Sequence, residues 1–175
     1  MTAQPVPAPV ASVLGPIFEE HHGRVFRAAY RVTGNASDAE DVLQTVFLRL
    51  ARQPSSTLLN PRSYLYRAAI NCALDLLRSR QASPVVPLEV ADGRDAPVVE
   101  TDAAEAAELR GSLRRALARL HPRLAEVFVL RFVEGYENRE IAGMLGTSRA
   151  VVAVTLHRAR GRLKRELQSH AGGWR

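Results

Sequence analysis

The sequence predicts an all-α chain of two small helical domains joined by a flexible acidic linker. Three observations predict it. Apolar residues recur at helical spacing in one segment after another, as in Ala39, Val42, Leu43, Val46, Phe47 and Leu50, which sit at i, i+3, i+4, i+7, i+8 and i+11. The stretch Ala82–Ala107 breaks that pattern and holds Pro84, Pro87 and Pro97. Glycine-containing turns at Gly34, Gly135 and Gly146 separate the helical segments. With 175 residues, 46% hydrophobic and 24% charged, the chain has the composition of a folded protein and the length of one ordinary domain or two small ones.

Residues 1–16 carry Pro5, Pro7, Pro9 and Pro16 and no acidic or basic side chain, so they read as a disordered leader. A helix follows over Ile17–Val32, with Phe18, Val25, Ala29 and Val32 as its buried positions and His21–His22 on its surface. Gly34 suits a left-handed stop. The next helix, Ser37–Leu50, has Ser37 as its cap and Glu40 reaching back from the third position, a capping box. One face of it is apolar. The other carries Asp38, Glu40, Asp41, Gln44, Thr45 and Arg49. Taken alone, those acids suit the positive end of the helix dipole.

Residues 53–59, QPSSTLL, read as a loop, and Asn60–Pro61 as the cap and first turn of a third helix reaching about Arg80. Its stripe of Leu65, Ala69, Cys72 and Leu76 is expected to be buried. Arg67, Asn71, Asp75 and Arg78 form a polar stripe, which on its own reads as a solvated face with an internal Arg–Asp pair worth a few tenths of a kcal/mol. Ala82–Ala107 then holds six acidic residues against Arg94, a net charge of −5, leaving +11 for the rest of a chain whose total is +6. A proline-rich acidic stretch between two basic halves is a linker that its own charge keeps off DNA; its C-terminal end, from about Thr101, already belongs to the next helix.

The second half is helical throughout by pattern. Leu109, Leu113, Ala116, Leu117 and Leu120 form one buried face ending at His121–Pro122. Pro122 starts a helix with Leu124, Val127, Phe128 and Leu130, and Gly135 ends it. A short helix over about Asn138–Leu145, a Gly146–Thr147 turn and a long helix capped by Ser148 and running to about Leu167 make a helix-turn-helix pattern. The last helix buries Val152, Leu156, Ala159 and Leu163. It exposes Arg149, His157, Arg158, Arg160, Arg162, Lys164 and Arg165. Such a basic amphipathic helix docks on a protein or a membrane surface, or it reads DNA; the helix-turn-helix lead-in favours DNA. Residues 169–175 form a tail containing Trp174.

The net charge of +6 and a pI of about 10.4 call for an anionic partner, nucleic acid first and an anionic membrane surface second. Cys72 is the single cysteine, so an internal disulfide and a cysteine-based zinc site are excluded, and a buried structural thiol is the expected role. The five histidines lack metal-ligand spacing, the acids of the second helix form one cluster without opposing ligands, and no glycine-rich phosphate loop occurs. No catalytic constellation is present. The chain is therefore read as a non-enzyme with no cofactor and no metal. No apolar run approaches the roughly 20 residues of a membrane helix and no signal peptide is recognisable, so no membrane insertion is expected and the cytoplasm is the expected location.

Two segments carry a family resemblance. D-A-E-D-x-x-Q-x-x-F-L-R-L at Asp38–Leu50 resembles the segment with which bacterial sigma factors of the extracytoplasmic-function (ECF) kind, in the sigma-70 superfamily, dock onto RNA polymerase. PRSYLYRAAINCALDLLRSR resembles the promoter-reading helix of the same proteins, with Tyr64 where the family more often has tryptophan. From Ala116 to Leu167 the sequence resembles their C-terminal promoter-binding domain, on the marks Leu120–Pro122, Leu130-Arg131, Gly135, Glu140-Ile141-Ala142, Leu145-Gly146, Ser148 and Leu156-His157-Arg158-Ala159. The resemblance covers about Ile17–Arg80 and Glu108–Leu167.

It implies a sigma region 2 domain over 17–81, a linker over 82–107 and a region 4 helix-turn-helix domain over 108–168. The implied activity is that of an alternative sigma factor, which binds RNA polymerase core and reads and opens promoter DNA. Asp38, Glu40, Asp41, Gln44 and Phe47 would bind the core. Tyr64, Arg67, Asn71, Asp75 and Arg78 would serve the −10 element, together with the loop 53–60 that would trap an unstacked base, at a cost of a few kcal/mol. Ser148, Arg149, Ala153, His157, Arg158, Arg160 and Arg162 would serve the −35 element. An anti-sigma factor is a further candidate partner.

The chain departs from the family where DNA should be read. Basic residues usual after the cap serine are replaced by Ala153 and Thr155, and Val151 and Val154 can offer only apolar contact. Glu137 stands where the preceding helix usually has a serine cap, with Asn138 beside it. An unusual upstream element, or weak DNA reading supported by a partner, follows. Two other classes stand beside the sigma reading: a stand-alone helix-turn-helix regulator, and a polymerase-binding decoy.

Overall fold

The computed structural model describes residues 10–52, 60–82 and 101–171, with side chains described over 14–52, 60–82 and 103–168. Among these the chain is helical, with no strand: α1 (Val10–Thr33), α2 (Ala36–Ala51), α3 (Pro61–Ala82), α4 (Thr101–Arg119), α5 (Pro122–Phe128), a π-helical turn (Val129–Val133), α6 (Asn138–Leu145) and α7 (Arg149–Ala171). The all-α expectation holds. The loop 53–59, the linker residues 83–100 and Trp174 lie outside the described residues.

The chain divides into two compact units, Met1–Ala73 and Leu74–Arg175. The division falls inside α3 rather than in the proline-rich segment. Within the second unit, Gln81 Nε2 donates to the Arg115 carbonyl (2.8 Å) and Arg78 Nη2 to that of Leu120 (3.5 Å), which ties the last turns of α3 to the α4 end.

In the first unit α1 and α2 pack as a hairpin. Gly34, at φ 72°, turns the chain, and its N–H closes α1 by donating to the Tyr30 carbonyl (2.7 Å). The core of the pair is Val25, Ala28, Ala29, Val32, Ala39, Val42, Val46, Phe47 and Leu50. Four expectations need correction here. α1 begins at Val10, not Ile17, and runs through Pro16. Phe18 is 37% exposed rather than buried, because it lies against the rim of the core, edge-on to Phe47 at 4.9 Å. His21 is buried and His22 exposed, so the pair is not simply a surface pair. The cap of α2 is Asn35 rather than Ser37: its Oδ1 accepts the Asp38 N–H at 3.1 Å.

On α3, Asn60 caps as expected, accepting the Ser63 N–H at 3.0 Å. The buried residues are Leu65, Tyr66, Ala69, Ile70, Ala73 and Leu74. The helix is thus turned from the expected stripe, and Cys72 and Leu76 are only half-buried. Tyr66 and Ile70 take the inside positions; what packs against the helix decides among its several apolar sides.

In the second unit α4, α5 and α6 each pack on α7. Leu109 is 65% exposed, so the buried face of α4 starts later than expected and holds Ala116, Leu117, Ala118 and Leu120. The π-helical turn was not expected. The Glu134 N–H donates to the Val129 carbonyl (3.0 Å), five residues back, and the Tyr136 N–H to that of Leu130 (3.0 Å). One extra residue per turn leaves no periodic mark in five residues of VLRFV, all but Arg131 apolar. Val129 and Leu130 are fully buried, while Phe132 is turned out. The last helix follows the expectation: Val152, Leu156, Ala159 and Leu163 are all buried.

Gly161 lies in the interior of α7 on its exposed side, and a Cβ there would meet nothing within 4 Å. Gly161→Ala therefore removes backbone freedom from the unfolded chain at no steric cost. It is expected to stabilise the fold by about 0.5–1 kcal/mol, read as a raised urea midpoint.

Candidate functional site

The capping of α2 by Asn35 places its first turn inside the hairpin and settles which acids face out. Asp38 is only 2% exposed, so it is not available as a docking residue. A carboxylate in the first turn beside the capping asparagine fits the dipole reading. Phe47 is also withdrawn: it is buried and packs edge-on against Phe18, supporting the helix rather than presenting a contact. Glu40, Asp41 and Gln44 are exposed. They continue at helical spacing into Leu48, which is 58% exposed. Leu48 escaped the sequence reading because it falls outside the i, i+3, i+4 core pattern and carries no charge. An exposed stripe of two carboxylates, one amide and one leucine combines electrostatic steering with an apolar anchor.

The polar stripe of α3 has a different character. Tyr64, Arg67, Asn71 and Arg78 are half-buried and Asp75 is exposed. The Asp75–Arg78 ion pair forms at 2.7 Å. At this exposure it is worth a few tenths of a kcal/mol. Arg78 is engaged twice, by Asp75 and by the Leu120 carbonyl.

The helix-turn-helix is built by three local devices. His121 accepts the Arg123 N–H (3.4 Å) ahead of Pro122, starting α5. At the head of α6, Glu137 occupies the cap position and its N–H donates to the Glu140 carboxylate (2.7 Å). Asn138 does not take over the cap; its Oδ1 is buried and accepts no hydrogen bond. Gly146, at φ 59°, ends α6, and the Thr147 N–H donates back to the Ala142 carbonyl (2.9 Å).

Ser148 then caps α7, its Oγ accepting the Val151 N–H at 3.2 Å. Its geometry is that of a helix cap. Arg149, Ala153, His157, Arg158, Arg160 and Arg162 are exposed. Arg160 has a second commitment: its guanidinium lies 4.7 Å over the exposed ring of Phe132, a cation–π contact. The cations of α7 crowd into its second half, whereas over Ser148–Leu156 Arg149 is the one charged side chain. Val151 and Val154 are 49% and 50% exposed there. Among the described residues no group of three His, Cys, Asp or Glu is placed to hold a metal ion, and no helix is long and apolar enough to cross a membrane.

Comparison with known proteins joins these surfaces. Residues 17–83 match the family model of sigma-70 region 2, and residues 110–163 that of sigma-70 region 4. The ECF RNA polymerase sigma factor SigM of Mycobacterium tuberculosis is 34% identical over 157 residues, covering 86% of this chain and 75% of that protein. SigE of Mycolicibacterium smegmatis, also an ECF RNA polymerase sigma factor, is 31% identical over 89% of this chain, which spans 62% of its length. The structure of CnrH in complex with the cytosolic domain of CnrY shares the fold, with a TM-score of 0.52 at 22% identity, covering 91% of this chain and 95% of CnrH. With both region models matched in order along the chain, it belongs to the ECF RNA polymerase sigma factors of the sigma-70 class, alternative sigma factors that direct promoter-specific transcription initiation.

Proposed function

We propose that this chain divides sigma-factor work between two surfaces: α2 docks RNA polymerase core, and α3 and α7 read the −10 and −35 elements. The observation that carries the proposal is the exposed stripe Glu40, Asp41, Gln44 and Leu48, lying over a fully packed hairpin core. The domain assignment is 17–81 for core docking and the −10 element and 108–168 for the −35 element, with 82–107 as the connection. Tyr64, Arg67, Asn71 and Asp75 serve the −10 side, and Arg149, His157, Arg158 and Arg162 the −35 side. Because each half alone makes a modest contact, joining them in one chain raises the local concentration of the second once the first is bound.

The role is that of a non-enzymatic initiation factor that works where the polymerase is, in the cytoplasm. An anti-sigma factor is a further proposed partner, and CnrH was solved with a partner's cytosolic domain on a related fold.

Binding of the purified chain to bacterial RNA polymerase core, beside an Asp41→Ala/Gln44→Ala variant, tests this. The parent is expected to bind tightly and the variant about fivefold more weakly, which corresponds to about 1 kcal/mol for the two truncations together. The fold of the variant is preserved because both side chains are exposed. No binding to core, with salt-sensitive binding of the chain alone to duplex DNA, would overturn the proposal in favour of a stand-alone regulator. Core binding without any promoter discrimination would favour a decoy.

A further inference from the structure

We infer that the first two turns of α7 select their DNA site by the methyl groups of thymines, through Val151 and Val154. The inference deepens the promoter-reading role proposed for α7 and rests on it.

The outward face of the helix is defined by its core residues. Val154 lies midway between the buried Val152 and Leu156, and so on the opposite side of the helix from both. Ala150 and His157 share that side, and Val151 flanks it. Half of each valine surface is in solvent, 49% for Val151 and 50% for Val154. The polar groups nearby are committed elsewhere. Ser148 Oγ accepts the Val151 N–H (3.2 Å), and the Thr155 hydroxyl donates to the Val151 carbonyl (2.7 Å), which turns it back along the helix. Arg149 is the single cation before Arg158.

A helix that enters the major groove by its N-terminal turns meets base edges there. In that groove thymine alone presents a methyl group, and an aliphatic side chain is its natural contact. Two valines at i and i+3 present two such contacts about one turn apart. Hydrogen-bond readout of guanine or adenine by these turns falls to Arg149 alone, so thymine content carries the discrimination.

The test uses the full chain with RNA polymerase core. Duplexes randomised in the upstream element are selected for binding, and the selected element is remade with deoxyuridine in place of thymidine, which removes only the methyl group. The same duplexes are also titrated with the chain alone. The expected result is a thymine-containing element that binds about fourfold more weakly for each contacted methyl removed, the weight of one buried methyl group. A Val151→Ala/Val154→Ala variant should bind thymine and uracil duplexes equally, with unchanged circular dichroism because both side chains are exposed. Equal binding of thymine and uracil duplexes by the parent overturns the inference and leaves the promoter-reading role intact. So does loss of core binding by the valine variant in the absence of DNA, which would assign the valines to a protein contact. Failure of the parent to bind core, with thymine discrimination retained on duplex alone, supports the inference and overturns the polymerase role.

Discussion

Replacing Leu130 with alanine is expected to destabilise the second unit by about 2–5 kcal/mol, the range for emptying a fully enclosed leucine site. Leu130 is 0% exposed and belongs with Val127, Val129, Ile141 and Val152 to the largest fully buried side chains of the unit. Its position is also fixed through the backbone. The Leu130 carbonyl accepts the Tyr136 N–H at 3.0 Å, and Arg131 Nη1 donates to the Tyr136 carbonyl at 3.1 Å, so the π-helical turn and the Gly135 bend are clamped around it. Such a site collapses poorly when a side chain is removed, which puts the cost toward the upper part of that range. Urea unfolding followed by circular dichroism checks it, with Leu109→Ala as the control. Leu109 is 65% exposed, and its loss should shift stability by less than about 0.5 kcal/mol. A Leu130→Ala midpoint close to that of the control would show that the packing around the π-helical turn is not as described.

The contrast between Leu109 and Leu130 marks what can be read from the chain without its fold. Both sit on good helical periodicities, and periodicity assigns a face without saying whether anything covers it. The face of α7 was legible because Val152, Leu156, Ala159 and Leu163 keep one helical stripe that the cations of its second half flank without interrupting, so no other rotation leaves those charges in water. α3 was not, since its sequence offers apolar residues on most sides, and the burial of Tyr66 and Ile70 in preference to Cys72 and Leu76 is decided by what packs against it. The exposed stripe of α2 was half legible. Glu40, Asp41 and Gln44 follow from polarity. Asp38 was misplaced because the cap moved back two residues to Asn35, drawing the first turn into the hairpin, and Leu48 was missed because an apolar side chain in solvent carries no periodic mark. The π-helical turn left no trace for the same reason that it exists: a run of apolar residues fits any helical register, and packing chooses among them.

The distribution of charge along α7 sets the second large effect. Restoring cations to its first turns, as Ala153→Lys with Thr155→Arg, should steepen the salt dependence of duplex binding by about two units in the slope of log K against log salt, close to one per added phosphate contact. Ala153 is exposed and Thr155 half-buried, on the two opposite flanks of the outward side that Val154 centres, so a long side chain at either position reaches solvent without disturbing Val152 or Leu156. The cost is the loss of the Thr155 hydroxyl bond to the Val151 carbonyl, which is exposed and local. Between 200 mM and 50 mM salt the variant should therefore gain about tenfold in affinity over whatever the parent gains, and this gain should be the same on every duplex sequence, because phosphates carry no sequence. Titration of the full chain and the variant against selected and scrambled duplexes at the two salt concentrations measures both quantities. A gain confined to one sequence would mean that the new cations reach base edges, and no gain at all would mean that these turns of α7 stand away from the duplex. In the parent, the six basic residues of α7 are Arg149 at its start and Arg158, Arg160, Arg162, Lys164 and Arg165 in its second half, with Arg160 held over Phe132. In the proposed promoter-reading role the electrostatic grip would come from the far end of the helix, leaving the near end to discriminate by shape and methyl contact.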